Sequence, residues 1–269
     1  MKSQRVWING LSGRMGLELQ TLIASSQQWD LIGGTSAGEL VDRESGILET
    51  DWKRLPECLS RTDVLIDFSA PSANADFLKF FHEAQIKDKA VLIGTTGMEQ
   101  AQKEAWIQLA KDRKLRLLIA PNTSLGILLM LKISQQLSGV LTALDFDIEV
   151  LESHHRAKID APSGTAKFLA EGIAETLDKK IIYGRTGKRE PQEIGVASLR
   201  GGSVFGEHEI RFLGDHEELT VSHRALSRVL FAEGALHLAG WVVNQTPGSW
   251  RLEDVSIEDM LKLLQKKDS

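Results

Sequence analysis

Arg5-Val6-Trp7-Ile8-Asn9-Gly10-Leu11-Ser12-Gly13-Arg14-Met15-Gly16 joins a short apolar run to a glycine turn and the opening of a helix. Arg5 to Asn9 reads as a buried strand, and the pattern from Met15 to about Ser25 reads as a helix. A turn this tight needs residues without a Cβ, so that backbone can approach a pyrophosphate. The helix N-terminus then offers unpaired N–H groups and the positive end of its dipole to the phosphates. The spacing is G-x-x-G-x-x-G rather than the commoner G-x-G-x-x-G. A strand-to-helix turn that binds nothing has the same outline, but the placement after a first strand favours a dinucleotide.

Reading outward, Asp30–Gly34, Val64–Phe68, Ala90–Ile93 and Arg116–Ala120 are further strands, with helices over Ser72–Gln85 and Glu99–Asp112. Strands alternating with helices of this length imply β-α-β units, right-handed crossovers and a doubly wound parallel sheet. The pattern changes after about residue 123. Leu144 to Val150 alternates apolar with acidic, as in a strand buried on one face. Lys167–Leu177 is helical, Glu207–Phe212 and Glu218–Ser222 form a hairpin about Gly214-Asp215, and Ser227–Asn244 is helical again. The expected class is α/β: a Rossmann-like doubly wound parallel sheet plus an α+β domain with an open mixed sheet under one helical layer.

Of 269 residues, 42% are hydrophobic and 26% charged, and the net charge is -5. That balance gives no general attraction to nucleic acid or to an anionic membrane. One cysteine, Cys58, excludes an intramolecular disulfide and suits a reducing compartment. With no neighbouring base, Cys58 reads as a small buried thiol rather than a nucleophile. The N-terminus shows no apolar signal core, and no stretch reads as long enough to span a bilayer, so the expected location is cytoplasmic.

The end of the second strand, Gly33-Gly34-Thr35-Ser36-Ala37, has no carboxylate to grip the adenine ribose hydroxyls. Its absence removes a repulsion against a 2′-phosphate, and Arg14 or Arg43 is available to pair with one. NADPH is therefore slightly favoured over NADH. Gly94-Thr95-Thr96-Gly97 and Ala120-Pro121-Asn122-Thr123 follow the fourth and fifth strands, where a doubly wound sheet places its ligand. These are also ordinary turn residues.

Glu152-Ser153-His154-His155-Arg156-Ala157-Lys158-Ile159-Asp160-Ala161-Pro162-Ser163-Gly164-Thr165 starts at a strand end and finishes at a helix start. Two imidazoles and an ammonium supply proton donors near neutral pH. Ser163-Gly164-Thr165 at a helix N-terminus is an anion site. The segment suits a carboxylate-bearing substrate that accepts a hydride and a proton. Taken alone, it is equally compatible with surface charges and an N-cap worth about 1 kcal/mol. A metal on His154, His155 and Glu152 or Asp160 is open but disfavoured, because adjacent histidines on a strand point to opposite faces.

With Ile66-Asp67-Phe68, Arg200-x-Gly202 and Gly206-Glu207-His208, these motifs closely resemble the 4-hydroxy-tetrahydrodipicolinate reductase (dihydrodipicolinate reductase) family of diaminopimelate and lysine biosynthesis. The resemblance runs in order from about residue 5 to the tail Leu252-Glu253-Asp254-Val255. It implies NADPH- or NADH-dependent reduction of 4-hydroxy-tetrahydrodipicolinate to tetrahydrodipicolinate with loss of water, and no metal. His154 and Lys158 would be catalytic. Gly10, Leu11, Ser12, Gly13, Arg14, Met15, Ser36, Gly94, Thr95, Thr96, Ala120, Pro121, Asn122 and Thr123 would hold the dinucleotide. Thr96, His155, Ser163, Gly164 and Thr165 would grip the dicarboxylate cyclic imine. It further implies a homotetramer, and a dinucleotide domain of residues 1–123 and 229–269 to which the C-terminal helix returns. Residues 124–228 would form the substrate and oligomerisation domain. Thr123, Leu128 and Met98 depart from the usual family residues. Two other readings are a semialdehyde dehydrogenase, for which Cys58 sits outside the expected loops, and a non-catalytic dinucleotide sensor, which has no need of His154 and Lys158.

Overall fold

A computed structural model describes residues 3–36, 39–43, 47–49 and 54–265. The chain divides into two compact units, Met1–Ser124 with Arg228–Ser269, and Leu125–Ser227.

The first unit runs β1 (Gln4–Asn9), α1 (Arg14–Ala24), β2 (Trp29–Ser36), β3 (Glu39–Asp42), β4 (Ile47–Glu49), α2 (Leu55–Arg61), β5 (Val64–Asp67), α3 (Pro71–Glu83), β6 (Ala90–Ile93), α4 (Gln100–Arg113) and β7 (Arg116–Ile119). The second holds α5 (Leu125–Ala143), β8 (Asp147–His154), α6 (Gly164–Leu177), β9 (Lys180–Tyr183), β10 (Glu193–Arg200), β11 (Glu207–Leu213) and β12 (Glu218–Arg224). The chain then returns to the first unit with α7 (Val229–Val243), β13 (Gly248–Trp250), a 3-10 turn at Leu252–Asp254 and α8 (Ile257–Gln265).

The first sheet has the order β13-β7-β6-β5-β1-β2-β3-β4. It is parallel from β13 to β2 and antiparallel at β3 and β4. Strand order reverses about β1, which has β5 on one side and β2 on the other; ligands of open parallel sheets bind beyond the strand ends at such a reversal. The central strands β5 and β6 are buried at every residue, as sheets covered on both faces require. One face packs a core that includes Trp7, Phe77, Phe81 and Trp106. Cys58 lies buried in this core, and so does Met98.

The second sheet has the order β12-β11-β8-β10-β9 and is mixed: β8, β10 and β9 pair in parallel, while β11 pairs antiparallel with both β8 and β12. Alternate residues of β8 are buried (Ile148, Val150, Glu152, His154). The apolar ones pack with α5 and α6 through Ile127, Leu131, Leu169 and Ile173. The expected strand from Leu144 starts three residues later, because Leu144 and Asp145 bond back onto the end of α5 and Asp145 takes φ +66°.

One expectation fails. α5, at 19 residues and mean hydropathy 1.3, is long and apolar enough to cross a membrane. Its apolar excess has a structural use, since Ile127, Met130 and Leu131 belong to the core of the second unit.

Candidate functional site

In the first unit the glycine turn is shaped by backbone. Gly10 takes φ +90°, and a Cβ there would stand 2.7 Å from the carbonyl oxygen of Phe68. A Cβ on Gly16 would collide with the carbonyl oxygens of Gly10 and Leu11, so only glycine lets α1 start this close to the turn. The N–H groups of Gly10 and Leu11 both donate to the Thr35 carbonyl, tying the turn to β2. No side chain caps α1, so no side chain accepts from the N–H groups of its first turn. Ser12 and Ser36 share a hydrogen bond between their hydroxyls, so the two sequence-predicted residues at this rim are adjacent. Arg14 and Arg43 are exposed, and Arg43 donates to Gln20.

The ends of β1 and β5, next to the glycine turn in sequence, carry a buried polar cluster. The Asp67 carboxylate, wholly buried at the end of β5, accepts from Asn9 (2.9 Å), Asn74 (2.7 Å), the Ser69 N–H (2.9 Å) and hydroxyl (2.7 Å), and Thr95 (2.6 Å). Asn74 in turn accepts from Trp106 and Gln102. This cluster joins the ends of β1 and β5 to the loop after β6. Thr95 is therefore committed inward, while Thr96 and Pro121 are exposed. Thr123, buried, donates its hydroxyl to the Phe231 carbonyl at 2.6 Å, which commits its side chain. Asn122 accepts from the Ser124 N–H.

In the second unit the covered face of the sheet turns from apolar to polar at the carboxyl end of β8. Glu152 stands opposite His208 on β11, and His154 opposite Arg200 on β10. Glu152 accepts from Arg200 at both oxygens (Nη1 to Oε2 2.9 Å, Nη2 to Oε1 2.7 Å), from the Ser163 N–H (3.2 Å) and from His154 Nδ1. Burial acts to raise the Glu152 pKa, but the Arg200 bonds and its other donors outweigh it and hold it at about 2. Burial pushes the His154 pKa below its ordinary value against the pull of Glu152. His208 is driven by burial down to about 3 and stays neutral; its ring lies edge-on to His154 at 5.2 Å, and Nε2 sits 3.4 Å from the Ser163 hydroxyl.

Ser163 caps α6, accepting from the Ala166 N–H at 3.2 Å. Gly164 is exposed, with open space where a Cβ would lie. Lys158 pairs with Asp160 at 2.8 Å, and its N–H donates to the His155 carbonyl. The fold thus brings His154 and Ser163 together around Glu152. It adds Arg200 and His208, to which the sequence reading assigned no role. Their only signals were the short motifs Arg200-x-Gly202 and Gly206-Glu207-His208. No group of three or more His, Cys, Asp or Glu suited to a metal occurs among the described residues. The arrangement can exchange a proton at His154 and present N–H and hydroxyl donors to an anion at the start of α6.

Comparison with known proteins covers both units. The family models "Dihydrodipicolinate reductase, N-terminus" and "Dihydrodipicolinate reductase, C-terminus" match residues 4–123 and 126–255. The 4-hydroxy-tetrahydrodipicolinate reductase of Aquifex aeolicus (strain VF5) is 38% identical over 266 residues, 94% of this chain and 98% of that protein. That of Nitrosospira multiformis is 37% identical over 273 residues, 95% and 98% of the two chains. Among solved structures, a dipicolinate-bound dihydrodipicolinate reductase from Paenisporosarcina sp. TG-14 superimposes with TM-score 0.72 at 25% identity, covering 94% of this chain and 100% of that one. A C. glutamicum DAP dehydrogenase, at TM-score 0.58 and 13% identity over the full length of both chains, shares the fold.

Proposed function

The chain belongs to the dihydrodipicolinate reductase family, and from that premise we propose how its residues divide the work of the reaction. The protein is an NAD(P)H-dependent oxidoreductase that reduces 4-hydroxy-tetrahydrodipicolinate to tetrahydrodipicolinate in diaminopimelate and lysine biosynthesis. The net change replaces the hydroxyl of the ring by hydride, and one proton joins that hydroxyl to leave as water. When bound, the nicotinamide supplies the hydride.

The first unit holds the dinucleotide. Residues 10–15 take the diphosphate on backbone N–H groups, Ser36 lies at the adenine ribose, and the loops 94–96 and 120–123 take the nicotinamide half. The uncapped start of α1 and the glycine-only approach at Gly10 and Gly16 support this. NADPH is favoured over NADH because no carboxylate stands at position 36 to repel a 2′-phosphate.

The second unit holds the substrate. Ser163, Gly164 and Thr165 at the start of α6, with His155, receive its carboxylates. His154 exchanges the proton, and Lys158 donates and orients. The observation that carries this reading is the buried Glu152–His154 pair directly beside the Ser163 cap. The test is oxidation of NADPH and NADH, followed by absorbance, with the cyclic product of pyruvate and aspartate semialdehyde. His154→Ala and Lys158→Ala each lower turnover by roughly 10²-fold or more while dinucleotide binding survives. Wild-type turnover in both variants refutes the assignment.

We further propose a cytoplasmic homotetramer that binds neither nucleic acid nor membrane. The uncovered face of the second sheet carries exposed Leu199 and half-buried Leu151 and Leu213, apolar surface suited to a second copy. Sedimentation of the purified protein reads the state directly.

A further inference from the structure

The Glu152 carboxylate only accepts hydrogen bonds, and it meets His154 at Nδ1. Its remaining capacity is filled by two Arg200 N–H groups and the Ser163 N–H. Arg200 is fixed from a second side, since its Nη2 also donates to the Asp160 carbonyl of the His-Lys loop.

We propose that Glu152 and Arg200 act as a positioning pair that holds His154 in the Nδ1–H tautomer, making Nε2 the atom that exchanges the reaction's proton. This deepens the reading of His154 as the acid–base group and rests on it.

The argument has three parts. First, a charged carboxylate at Nδ1 forces that nitrogen to carry a proton, so neutral His154 presents a bare Nε2. Second, Arg200 keeps the pair from passing that proton on. With its pKa held at about 2, Glu152 stays ionised through the neutral range, and the Nδ1 proton remains on the imidazole. Third, the backbone that lies beside Nε2 is that of a glycine, Gly206. A Cβ added to Gly206 would stand 3.1 Å from Nε2, so a side chain there would crowd the reactive nitrogen.

The charged and titratable groups facing His154 are Glu152 on its own strand, Arg200 on β10, His208 on β11 and Lys158 on the following loop. Glu152 favours the imidazolium, Arg200 and Lys158 oppose it, and His208 is neutral. In the acid step the Nε2–H bond of the imidazolium breaks and its electron pair stays on Nε2. The proton joins the departing hydroxyl as water, and the neutral ring keeps its Nδ1–H on Glu152.

The test is nitrogen NMR of the protein labelled with 15N-histidine, beside steady-state kinetics across pH. In the wild type the neutral His154 signal is expected as the Nδ1–H form. Glu152→Gln, whose amide can donate to Nδ1, is expected to populate the Nε2–H form. It should lower kcat by roughly 10–100-fold with KM and the NADPH Kd within about twofold, and move the basic limb of kcat/KM to lower pH. An Nε2–H tautomer in the wild type overturns the proposal with no variant needed, which covers the case where Glu152→Gln fails to fold. So does a folded Glu152→Gln with wild-type tautomer and kcat. If His154→Gln is inactive and folded Glu152→Gln is fully active, only the positioning role fails. If both are fully active, the parent reading fails with it.

Discussion

At the residue scale, the hydroxyl pair of Ser12 and Ser36 stands where the adenine ribose is proposed to be received. A carboxylate at position 36 would accept from ribose hydroxyls and repel a 2′-phosphate. Ser36→Asp is therefore expected to raise the Kd for NADPH by about tenfold or more, with NADH unchanged or tighter, in a fluorescence titration; equal losses for both would sink the placement. A second residue-scale effect concerns acid stability. His208 titrates near 6.5 unfolded and at about 3 folded, and Glu152 near 4.5 unfolded and at about 2 folded. Between those limits the unfolded chain binds more protons at each site than the folded one does. Stability therefore falls as pH drops from about 6.5 towards 3 through His208, and from about 4.5 towards 2 through Glu152. His208 Nδ1 is buried without a partner, so His208→Leu gives up little besides the contact to the Ser163 hydroxyl and the edge-on ring contact with His154. The expected result is a urea midpoint that declines less steeply between pH 6.5 and 5 than the wild type's, the remaining slope coming from His154 and His223, which burial also holds below their ordinary values.

At the scale of elements, the Asp67 cluster shows how buried polar groups hold loops in place. One carboxylate satisfies Asn9, Ser69, Asn74 and Thr95, drawn from the ends of β1 and β5, from α3 and from the loop after β6. Asp67→Ala leaves several buried donors unmet and is expected to cost about 3 kcal/mol or more, read from thermal or urea unfolding. It should also weaken dinucleotide binding, because the loop 94–97 loses its anchor. The sequence marked Ile66-Asp67-Phe68 as a motif but held no trace of its partners, which are brought together only by folding. The same limit explains what else was unreadable. Ala90–Ile93 is recovered to the residue, because a fully buried parallel strand is a short apolar run between turns. The hairpin of β11 and β12 was legible for a local reason, its alternation on both sides of Gly214-Asp215. β10 was not foreseen, and with it went Arg200: its parallel pairing with β8 spans more than forty residues. α5 was missed because Leu129, Ile133 and Val140 stay exposed, so no polar face gave it helical periodicity.

At the scale of the molecule, two units with separate cores predict separable responses to ligands. A ligand stabilises the native state of whatever holds it by RT ln(1 + [L]/Kd), about 2.7 kcal/mol at a hundredfold excess over Kd. For amides that exchange only when the binding element opens, this slows exchange by about 10²-fold. On the proposed division of labour, NADPH alone protects residues 10–16 and the loops 94–97 and 120–123, leaving the amides of Glu152 to Ala166 near their free rates. A pyridine dicarboxylate given alone does the reverse: it protects Ser163 to Ala166 at the start of α6 and leaves the glycine turn unchanged. Hydrogen exchange read by mass spectrometry resolves segments of this size. Protection of the α6 start by the dinucleotide, with none from the dicarboxylate, would reverse the roles of the two units. It would also remove the substrate from the Glu152–His154 pair. Protection of each region by its own ligand, combined with loss of turnover in His154→Ala, would assign cofactor and substrate to separate parts of the chain.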